Sequence, residues 1–542
     1  MAAKYRVLVS EKLAPEGLEI LRREPEIEVV ERPPLKGPEL AAEIGDFDAL
    51  IVRSGAKVTA EAIAAAKRLK VIGRAGIGVD NIDVPAATRR GIVVMNTPGG
   101  NNVTTAEHAI ALLLASARHI PQANASLREG KWERSKFTGI EITGKTLGVI
   151  GLGNIGRIVA DRACGLSMKV IAYDPFVTAE TKPLGVDLVS LEELYERSDF
   201  VTVHVPLTNE TRGLIDAAAI ARMKPGVRII NCARGGIVDE QAVADAIREG
   251  KVAGAAFDVF AEEPPPADHP LISLPQVVAT PHLGASTGEA QTNVAIAIAE
   301  QVTAFLLRGA ISAAVNMPAI TPEQRELLMP FLRLGEKLGS LTAQLGGLDG
   351  RGARGGSGAP VEVAIEYRGD VAELGTKTVT AAILRGLLVP ILGSDLNYVS
   401  APVIARERGI DVRETVSTQP SDFRNRVAVK VRFASGATHE VAGAVFGHST
   451  IRLVKLNDFF LEAVPEGYIL MLHNHDVPGV VGRVGTLLGQ HKVNIAGLEL
   501  GREKIGGRAV SLFHVDDPVP EPVLEELRKV PEIISAALIH LE

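Results

Sequence analysis

Short apolar runs alternate with helical patterns of apolar positions over the first 98 residues of the chain. The strand-like runs are residues 6–9, 49–52, 71–72 and 92–95, and the helical patterns between them include residues 15–23 and 60–69. Strands that alternate with helices form a parallel sheet with both faces covered. This pattern therefore predicts an α/β unit.

A second alternating series begins at Thr146 and ends near Thr280. Its strand-like runs are residues 200–203, 228–231, 254–257 and 277–280. Between the two series, Thr104 and Glu107 have the spacing of a capping box, which predicts a helix over residues 106–120. One long helical pattern, 288–307, follows the second series. The sequence thus predicts two parallel α/β units in succession.

The pattern changes beyond Met317. Residues 324–345 have helical spacing, and the glycine-rich stretch 346–358 predicts a flexible loop. Residues 361–367 and 427–433 alternate as half-buried strands do. This part of the chain therefore predicts a mixed α and β region.

A last module begins near Gly467 and has the order strand, helix, strand, strand, helix, strand. The six elements are predicted at residues 468–473, 480–490, 495–501, 508–515, 520–529 and 534–541. This βαββαβ order is ferredoxin-like.

Composition narrows the class of protein. The 542 residues are 46% hydrophobic and 23% charged, which is ordinary for a globular protein of several domains. The net charge of −7 disfavours nucleic-acid or anionic-membrane partners. Two cysteines and no signal peptide favour a reducing, cytoplasmic location. No apolar run reaches the roughly 18 residues of a membrane span, and we expect no metal site.

A glycine motif marks a nucleotide site in the second series. Gly151, Gly153 and Gly156 follow a strand-like run and open a helical pattern, so that phosphates can bind at the helix N-terminus. Asp174 ends the next strand, 18 residues after Gly156. A carboxylate there binds the ribose hydroxyls and repels a 2′-phosphate, which favours NAD over NADP.

Three polar residues follow other strand-like runs of the same series, namely Arg234, Glu263 and His282. Ligands of open α/β sheets bind at the carboxyl ends of the strands. A guanidinium can hold the carboxylate of a 2-hydroxy acid, an imidazole can take its hydroxyl proton, and a carboxylate can orient that imidazole. Taken singly, each residue could instead form a surface ion pair, lie on an exposed loop or cap a turn.

Several segments resemble the D-2-hydroxyacid dehydrogenase family. They are GLGNIGR, NCARGG, DVFAEEP and TPHLGAST, together with Arg53-Ser-Gly55, RAGIGVDN at 74–81 and MNTPGGN at 95–101. With its C-terminal modules, the whole chain resembles the long form of this family. The resemblance implies NAD-dependent oxidation of 3-phospho-D-glycerate to 3-phosphohydroxypyruvate, in L-serine biosynthesis, by a homo-oligomer, expected to be a tetramer.

The resemblance also implies a domain order. A flavodoxin-like substrate domain, residues 1–98 and 290–316, is interrupted by a doubly wound Rossmann-type NAD domain at 99–289. An α+β intervening regulatory domain at 317–455 and a ferredoxin-like ACT domain at 466–542 follow. The glycine motif lies late in the chain because the NAD domain is inserted into the substrate domain.

Residue roles follow from the matching motifs. His282 is expected as the general acid/base, Glu263 as its partner and Arg234 as the anchor of the carboxylate. Expected cofactor contacts are Gly151, Gly153, Asn154, Ile155, Gly156, Asp174, Cys232, Arg234, Asp258, His282 and Gly284. Expected substrate contacts are Arg53, Ser54, Arg74 and Asn101, with Arg134 supplied by a neighbouring subunit. Ile77 departs from relatives that carry a hydroxyl there.

In the last module, Asn474, Asp476 and Asn494 match positions that bind a free amino acid between paired ACT domains, and L-serine is the expected effector. These residues could instead satisfy local turns. Two other functions remain open. One is a glyoxylate or hydroxypyruvate reductase, which the cations Arg53, Arg74 and Arg134 disfavour. The other is a non-catalytic NAD-sensing scaffold like the C-terminal-binding co-repressors.

Overall fold

The computed structural model describes residues 4–318, 322–347, 358–393, 396–447 and 449–542, which form four β-sheets with their helices. Most of the glycine-rich stretch that was predicted as a loop, residues 348–357, lies outside the described residues. Within the described ranges, no helix is both long and apolar enough to cross a membrane. No group of three or more metal-ligating side chains occurs in these ranges either.

The first sheet is parallel, with strand order β2-β1-β3-β4-β5, which is the flavodoxin-like order. Its elements are β1 (Tyr5–Ser10), α1 (Pro15–Arg23), β2 (Ile27–Arg32), α2 (Pro38–Glu43), β3 (Ala49–Val52), α3 (Ala60–Ala65), β4 (Val71–Arg74), α4 (Val84–Arg89) and β5 (Val93–Met95). Successive β1 residues pack into different cores, Val7 on one face and Leu8 on the other. Both faces are thus buried, as a parallel sheet requires.

The second sheet has seven parallel strands. Its region contains α5 (Asn102–Arg118), α6 (Ile120–Arg128), β6 (Thr146–Ile150), α7 (Asn154–Gly165), β7 (Lys169–Tyr173), β8 (Val186–Leu188), α8 (Leu191–Arg197), β9 (Phe200–Val203), α9 (Ala217–Arg222), β10 (Val227–Asn231), α10 (Glu240–Arg248), β11 (Val252–Phe257) and β12 (Val277–Ala279). The order β12-β11-β10-β9-β6-β7-β8 reverses between β6 and β9. That reversal is the switch point at which doubly wound sheets bind ligands.

The capping box predicted at Thr104 is wrong, because α5 begins two residues earlier and Asn101 occupies its N-cap position. The Thr104 hydroxyl instead lies 3.2 Å from the hydroxyl of Thr287. The neighbouring Thr105 hydroxyl donates to the carbonyl of Gly284 at 2.9 Å. These contacts with the chain beyond β12 replace the local cap.

Helix α11 (Gly288–Arg308) returns the chain to the first sheet. This helix packs against α1 and β4, and glycines in both elements let its backbone and side chains come close. A Cβ on Gly17 of α1 would lie 2.6 Å from the carbonyl oxygen of Ala295, and one on Gly73 of β4 would lie 2.8 Å from Ile298. The α11 residues Ile298 and Val302 complete a core that includes Val7. We call β1–β5 with α1–α4 and α11 the first unit, and α5 to β12 the second unit.

The third sheet is mixed, in the order β14-β13-β15-β16-β17-β18. Its region contains α12 (Pro322–Leu345), β13 (Pro360–Gly369), α13 (Val371–Leu374), α14 (Thr376–Leu392), α15 (Ala401–Glu407), β14 (Asp411–Ser417), β15 (Asn425–Phe433), β16 (Thr438–Phe446), β17 (Thr450–Leu456) and β18 (Phe459–Ala463). Strands β13 and β14 are parallel and the other pairs are antiparallel. This unit is α+β, as predicted.

The fourth sheet has the order β20-β21-β19-β22, and all its pairs are antiparallel. Its elements are β19 (Gly467–His475), α16 (Val480–Gln490), β20 (Ile495–Arg502), β21 (Arg508–Val515), α17 (Glu521–Arg528) and β22 (Ile533–Leu541). The predicted ferredoxin-like order is confirmed. One face packs on α16 and α17, while Ile469, Met471 and Leu512 on the other face join the core of the third unit.

Candidate active site

A cavity of about 460 Å³ lies between the first and second units, at the carboxyl ends of their strands. Residues Arg74 and Ile77 line it from the first unit. Eight other predicted site residues line it, namely Asn101, Asn154, Ile155, Cys232, Arg234, Asp258, His282 and Gly284. The fold therefore brings nine of the predicted site residues, Arg74 among them, to one cleft.

The glycine loop after β6 has the geometry that a bound pyrophosphate needs. Gly151 has φ +94°, and a Cβ there would lie 2.6 Å from the carbonyl oxygen of His204. A Cβ on Gly156 would lie 1.9 Å from the Gly151 carbonyl oxygen. By contrast, a Cβ on Gly153 would meet no atom within 4 Å, so protein packing does not explain this glycine. It leaves room for a ligand at the N-terminus of α7, where N–H groups attract phosphate.

Asp174, at the end of β7, borders this loop. Its two carboxylate oxygens accept the backbone N–H groups of Leu152, at 2.8 Å, and Phe176, at 2.9 Å. The carboxylate is therefore fixed beside the loop, where the ribose of a dinucleotide lies in such folds. The cleft residues and the glycine loop together fit NAD.

His282 and Glu263 form a close pair on the second unit. The imidazole Nδ1 lies 2.7 Å from Oε2 of Glu263, and Oε1 accepts the N–H of Phe260 at 3.0 Å. Burial alone would raise the pKa of Glu263, but the hydrogen bonds from His282 and Phe260 outweigh it and hold the pKa below its usual value. Glu263 thus remains ionised, and Nε2 of His282 is left for a substrate.

Asp258 fixes the loop that carries His282, whose φ is +54°. Its Oδ1 accepts the N–H of Leu283 at 2.7 Å and lies 2.5 Å from the Thr280 hydroxyl, while Oδ2 accepts the N–H of Gly284 at 2.8 Å. The buried carboxylate, 1% exposed, is also 3.1 Å from Nε2 of His108.

Burial would raise the pKa of Asp258, but the hydrogen bonds from His108, Thr280 and Leu283 more than offset it and lower the pKa. The carboxylate therefore stays charged in this buried position. Both of its oxygens point to the loop of His282. Cys232 lies in the same wall of the cavity, and burial raises the pKa of its thiol, which stays protonated.

Asn231 shapes the turn that presents Arg234. Its side chain accepts the N–H of Ala233 and donates to the carbonyl of Arg234, both at 3.0 Å. The Arg234 guanidinium donates from Nη1 to the Ala233 carbonyl at 2.6 Å and from Nε to Asp80 of the first unit at 3.0 Å. Arg234 therefore reaches the cavity with its orientation already fixed.

The first unit contributes further cations. Arg74 ends β4, and burial lowers the pKa of its guanidinium to about 10, with the nearby charge of Arg234 acting in the same direction. Arg53 follows β3 and donates to the Lys12 carbonyl at 3.2 Å, while Ser54 beside it is exposed. Arg53 and Ser54 do not line the cavity, unlike Arg74. Asn101 lines the wall, and its buried Oδ1 has no hydrogen-bond partner among the described residues.

Arg134 lies apart from this cavity, on an exposed turn of 3₁₀-helix, Arg134–Phe137. Trp132, two residues earlier, is 77% exposed. Ile120, Leu127 and Ile140, the apolar residues close to it in the sequence, are exposed too. A single chain does not bring Arg134 to the other cations.

The three expected effector residues do not meet within one chain. Asn474, at the end of β19, pairs in register with Ala509, whereas Asn494 precedes Ile495, which pairs with Val515. Residues 509 and 515 are about 20 Å apart along β21 at the usual rise of a strand. Asn474 and Asn494 therefore lie at opposite ends of the sheet within one chain, because β19 and β20 run parallel on either side of β21.

Each effector candidate already has a partner within the chain. Asn474 is 4% exposed, and its Oδ1 accepts the Ser511 hydroxyl at 2.8 Å. Asp476 accepts a hydrogen bond from Arg502 at 3.3 Å. The amide of Asn494 donates to Asp516 at 2.8 Å. These bonds join side chains that are 22 to 37 residues apart in sequence, so they differ from the local turn contacts of the alternative interpretation.

Sequence reasoning missed two residues that hold the site. Asp80 lies within the quoted motif at 74–81, and its carboxylate directly before Asn81 was an available signal. His108 carried no signal, because one histidine in an apolar helix is unremarkable until Asp258 is seen beside it.

Comparisons with known proteins match this architecture. Residues 110–284 match the NAD binding domain of D-isomer specific 2-hydroxyacid dehydrogenases. Residues 327–457 match the D-3-phosphoglycerate dehydrogenase intervening domain, and residues 468–532 match the ACT domain.

Relatives match over nearly the whole chain. The D-3-phosphoglycerate dehydrogenase of Archaeoglobus fulgidus is 48% identical over 99% of this chain and 100% of its own length. The D-3-phosphoglycerate dehydrogenase of Bacillus subtilis is 42% identical over 99% of this chain and 100% of its own length. Among solved structures, the TT0316 protein of Thermus thermophilus has 37% identity and a TM-score of 0.53, covering 57% of this chain and 99% of its own. An NAD-dependent formate dehydrogenase of Staphylococcus aureus, in complex with NAD, has 30% identity and a TM-score of 0.53. The match covers 58% of this chain and 99% of that structure's chain.

Proposed function

Because the chain belongs to the D-3-phosphoglycerate dehydrogenase family and is an NAD-dependent oxidoreductase acting on CH–OH groups, we propose that it oxidises 3-phospho-D-glycerate to 3-phosphohydroxypyruvate. This reaction is the first committed step of L-serine biosynthesis. The observation that carries the proposal is that His282, paired with Glu263, lines one cleft with Arg234 and the half-buried Arg74. A base, a carboxylate anchor and an additional cation suit a phosphorylated 2-hydroxy acid.

In this mechanism each residue has one task. Arg234 binds the substrate carboxylate through its free N–H groups, and Arg74 attracts the phosphate. His282 takes the hydroxyl proton at Nε2, and the Glu263 carboxylate stabilises the imidazolium that results. NAD, when bound, supplies the nicotinamide ring that receives the hydride from C2. The hydroxyl becomes a carbonyl as the proton and the hydride leave.

We assign the remaining predicted residues by position. Asn154, Ile155, Asp174, Cys232, Asp258 and Gly284 surround the proposed NAD, with the glycine loop at its pyrophosphate. Arg53, Ser54 and Asn101 extend the substrate site, and Arg134 of a second subunit adds a cation to it. The exposed Trp132 and its apolar neighbours support such a subunit contact, since solvent-exposed aromatic patches mark interfaces.

The domain limits follow the same proposal. Residues 1–98 and 290–316 form the substrate domain, 99–289 the NAD domain, 317–455 the intervening domain and 466–542 the ACT domain. The packing of α11 on α1 supports the discontinuous first domain.

We also propose that L-serine binds between paired ACT domains of a homotetramer. Asn474 and Asn494 lie at opposite ends of one sheet, so a ligand that contacts both must lie between two chains. The edge strand β20 exposes Leu500, at 56%, which favours pairing along that edge.

The decisive test of the activity is NADH formation. Purified protein is mixed with NAD and either 3-phosphoglycerate or D-glycerate, and absorbance at the NADH band is followed. We expect turnover with 3-phosphoglycerate and a much lower rate with D-glycerate, because the second compound leaves the cations without a phosphate. Turnover of glyoxylate or hydroxypyruvate with NADH, followed as loss of the NADH band, without turnover of 3-phosphoglycerate with NAD, would favour the reductase alternative.

A further inference from the structure

The loop after β4 surrounds two guanidinium groups. A Cβ on Gly76 would lie 1.4 Å from Nη1 of Arg74, and one on Gly78 would lie 2.0 Å from Nη2 of Arg234. Neither position can therefore carry a side chain unless an arginine moves. The two glycines leave room for one cation from each unit to reach the same loop.

Asp80, at the end of this loop, holds the arginine of the other unit. Its Oδ2 accepts Nε–H of Arg234 at 3.0 Å, and the carbonyl of Ala233 accepts from Nη1 at 2.6 Å. A guanidinium has five N–H donors, so three remain on Nη1 and Nη2. Because Asp80 uses only the Nε donor, it orients the group without occupying the donors that a bidentate carboxylate needs.

Asp80 also balances a crowded set of charges. Arg53, Arg74 and Arg234 contribute three positive charges, and Glu11 and Asp80 contribute two negative ones. Burial lowers the pKa of Arg74, the charges of Arg234 and Arg53 lower it further, and those of Asp80 and Glu11 raise it. Loss of Asp80 would leave three cations facing one carboxylate.

We propose that Asp80 is a positioning residue that holds Arg234 across the cleft in the orientation that binds the substrate carboxylate. This inference rests on the proposed function. The substrate can order Arg234 itself once it is bound, so the effect of Asp80 falls mainly on binding. Asp80 does not touch the reacting atoms, so the chemical step should change little.

The test compares the variants Asp80→Asn, Asp80→Ala and Asp80→Glu with wild type in NADH formation from 3-phosphoglycerate. We expect Asp80→Asn and Asp80→Ala to raise KM by about 3- to 5-fold, the upper range for a solvent-exposed charge pair, with kcat changed less than about 2-fold. Asp80→Glu, which restores the charge, should recover part of the lost affinity. Binding of NAD, followed by fluorescence, should be unchanged.

A second readout separates positioning from a general structural effect. The alkaline limb of the kcat/KM profile should move to lower pH in Asp80→Asn, because Arg74 loses a neighbouring negative charge. Asp161→Asn is the matched control, since Asp161 is 69% exposed and pairs with Arg162, as Asp80 is 68% exposed and pairs with Arg234. It should change neither KM nor the pH profile.

A KM within 2-fold of wild type together with an unshifted alkaline limb in Asp80→Asn would overturn the inference. An equal loss of kcat and NAD binding in all three variants would also overturn it, because that result would show a structural role. The wild-type rate with 3-phosphoglycerate reports on the proposed function itself, whereas the ratio of variant to wild type reports on Asp80.

Discussion

The substitution Asp258→Asn tests how far catalysis depends on the loop of His282. An asparagine can keep Oδ1 for His108, Thr280 and the Leu283 N–H, but its amide nitrogen then faces the N–H of Gly284, which Oδ2 accepts at 2.8 Å in the wild type. One buried donor loses its acceptor, and three bonds lose their charge assistance. We expect a loss of about 3 kcal/mol in the free energy of unfolding, from the usual cost of such changes at a buried position.

The same variant should lose activity by another route. His282 has φ +54°, a conformation that the N–H contacts of residues 283 and 284 help to hold. A displacement of a catalytic group by about 1 Å costs roughly 10²-fold in rate, so we expect kcat to fall about 10²-fold. The measurements are urea unfolding followed by fluorescence, and steady-state NADH formation under conditions in which the variant stays folded.

Asp199→Asn is the matched control for this prediction. Asp199 lies at the opposite, amino end of the second sheet, accepts the Thr146 N–H at 2.8 Å and pairs with Lys224 at 3.0 Å. It should lose stability and keep its kcat. If Asp258→Asn also kept the wild-type kcat while losing stability, the argument that Asp258 positions His282 would be refuted.

Three further predictions concern the proposed site and its regulation. His282→Ala should lower kcat by roughly 10²- to 10⁴-fold and leave NAD binding intact, and near-normal turnover in steady-state assays would contradict its assignment as the base. Asp174→Ser should relax the preference for NAD over NADP, measured as the ratio of kcat/KM values; an unchanged ratio would show that Asp174 does not read the ribose. Asp476→Ala should weaken inhibition by L-serine and keep the uninhibited kcat, whereas millimolar serine that gives the wild type neither a binding heat in calorimetry nor a rate change would disprove serine regulation.

The central strands of the parallel sheets were predictable because burial on both faces demands continuous apolar runs. Strands β3 and β9, at 49–52 and 200–203, lie where the runs placed them. Strands β2 and β8 were not predicted, and both are edge strands. In β2 the side chains of Glu28, Glu31 and Arg32 are exposed, so the apolar signal is interrupted. Local patterns indicate burial, and β2 and β8 have less of it than the edge strand β5, which was predicted and whose three residues are all buried.

The same reasoning applies to the site. Arg234, Glu263 and His282 could be found because each follows a strand-like run, and parallel strands end at the same edge of a sheet. The partners of these residues were harder to find. Asp80 and Arg234 are far apart in sequence and meet only because two units face each other, and His108 reaches Asp258 from the side of a helix. No local pattern encodes such a pairing.

The two carboxylate partners differ in a way that bears on closure of the cleft. Glu263 and His282 both belong to the second unit, so their 2.7 Å contact persists whatever the separation of the units. Arg234 and Asp80 belong to different units, so their 3.0 Å contact exists only when the units are close. Opening the cleft would therefore leave His282 bonded to Glu263, and it would separate Arg234 from Asp80. What the first unit adds on closure, besides Arg74, is the orientation of Arg234.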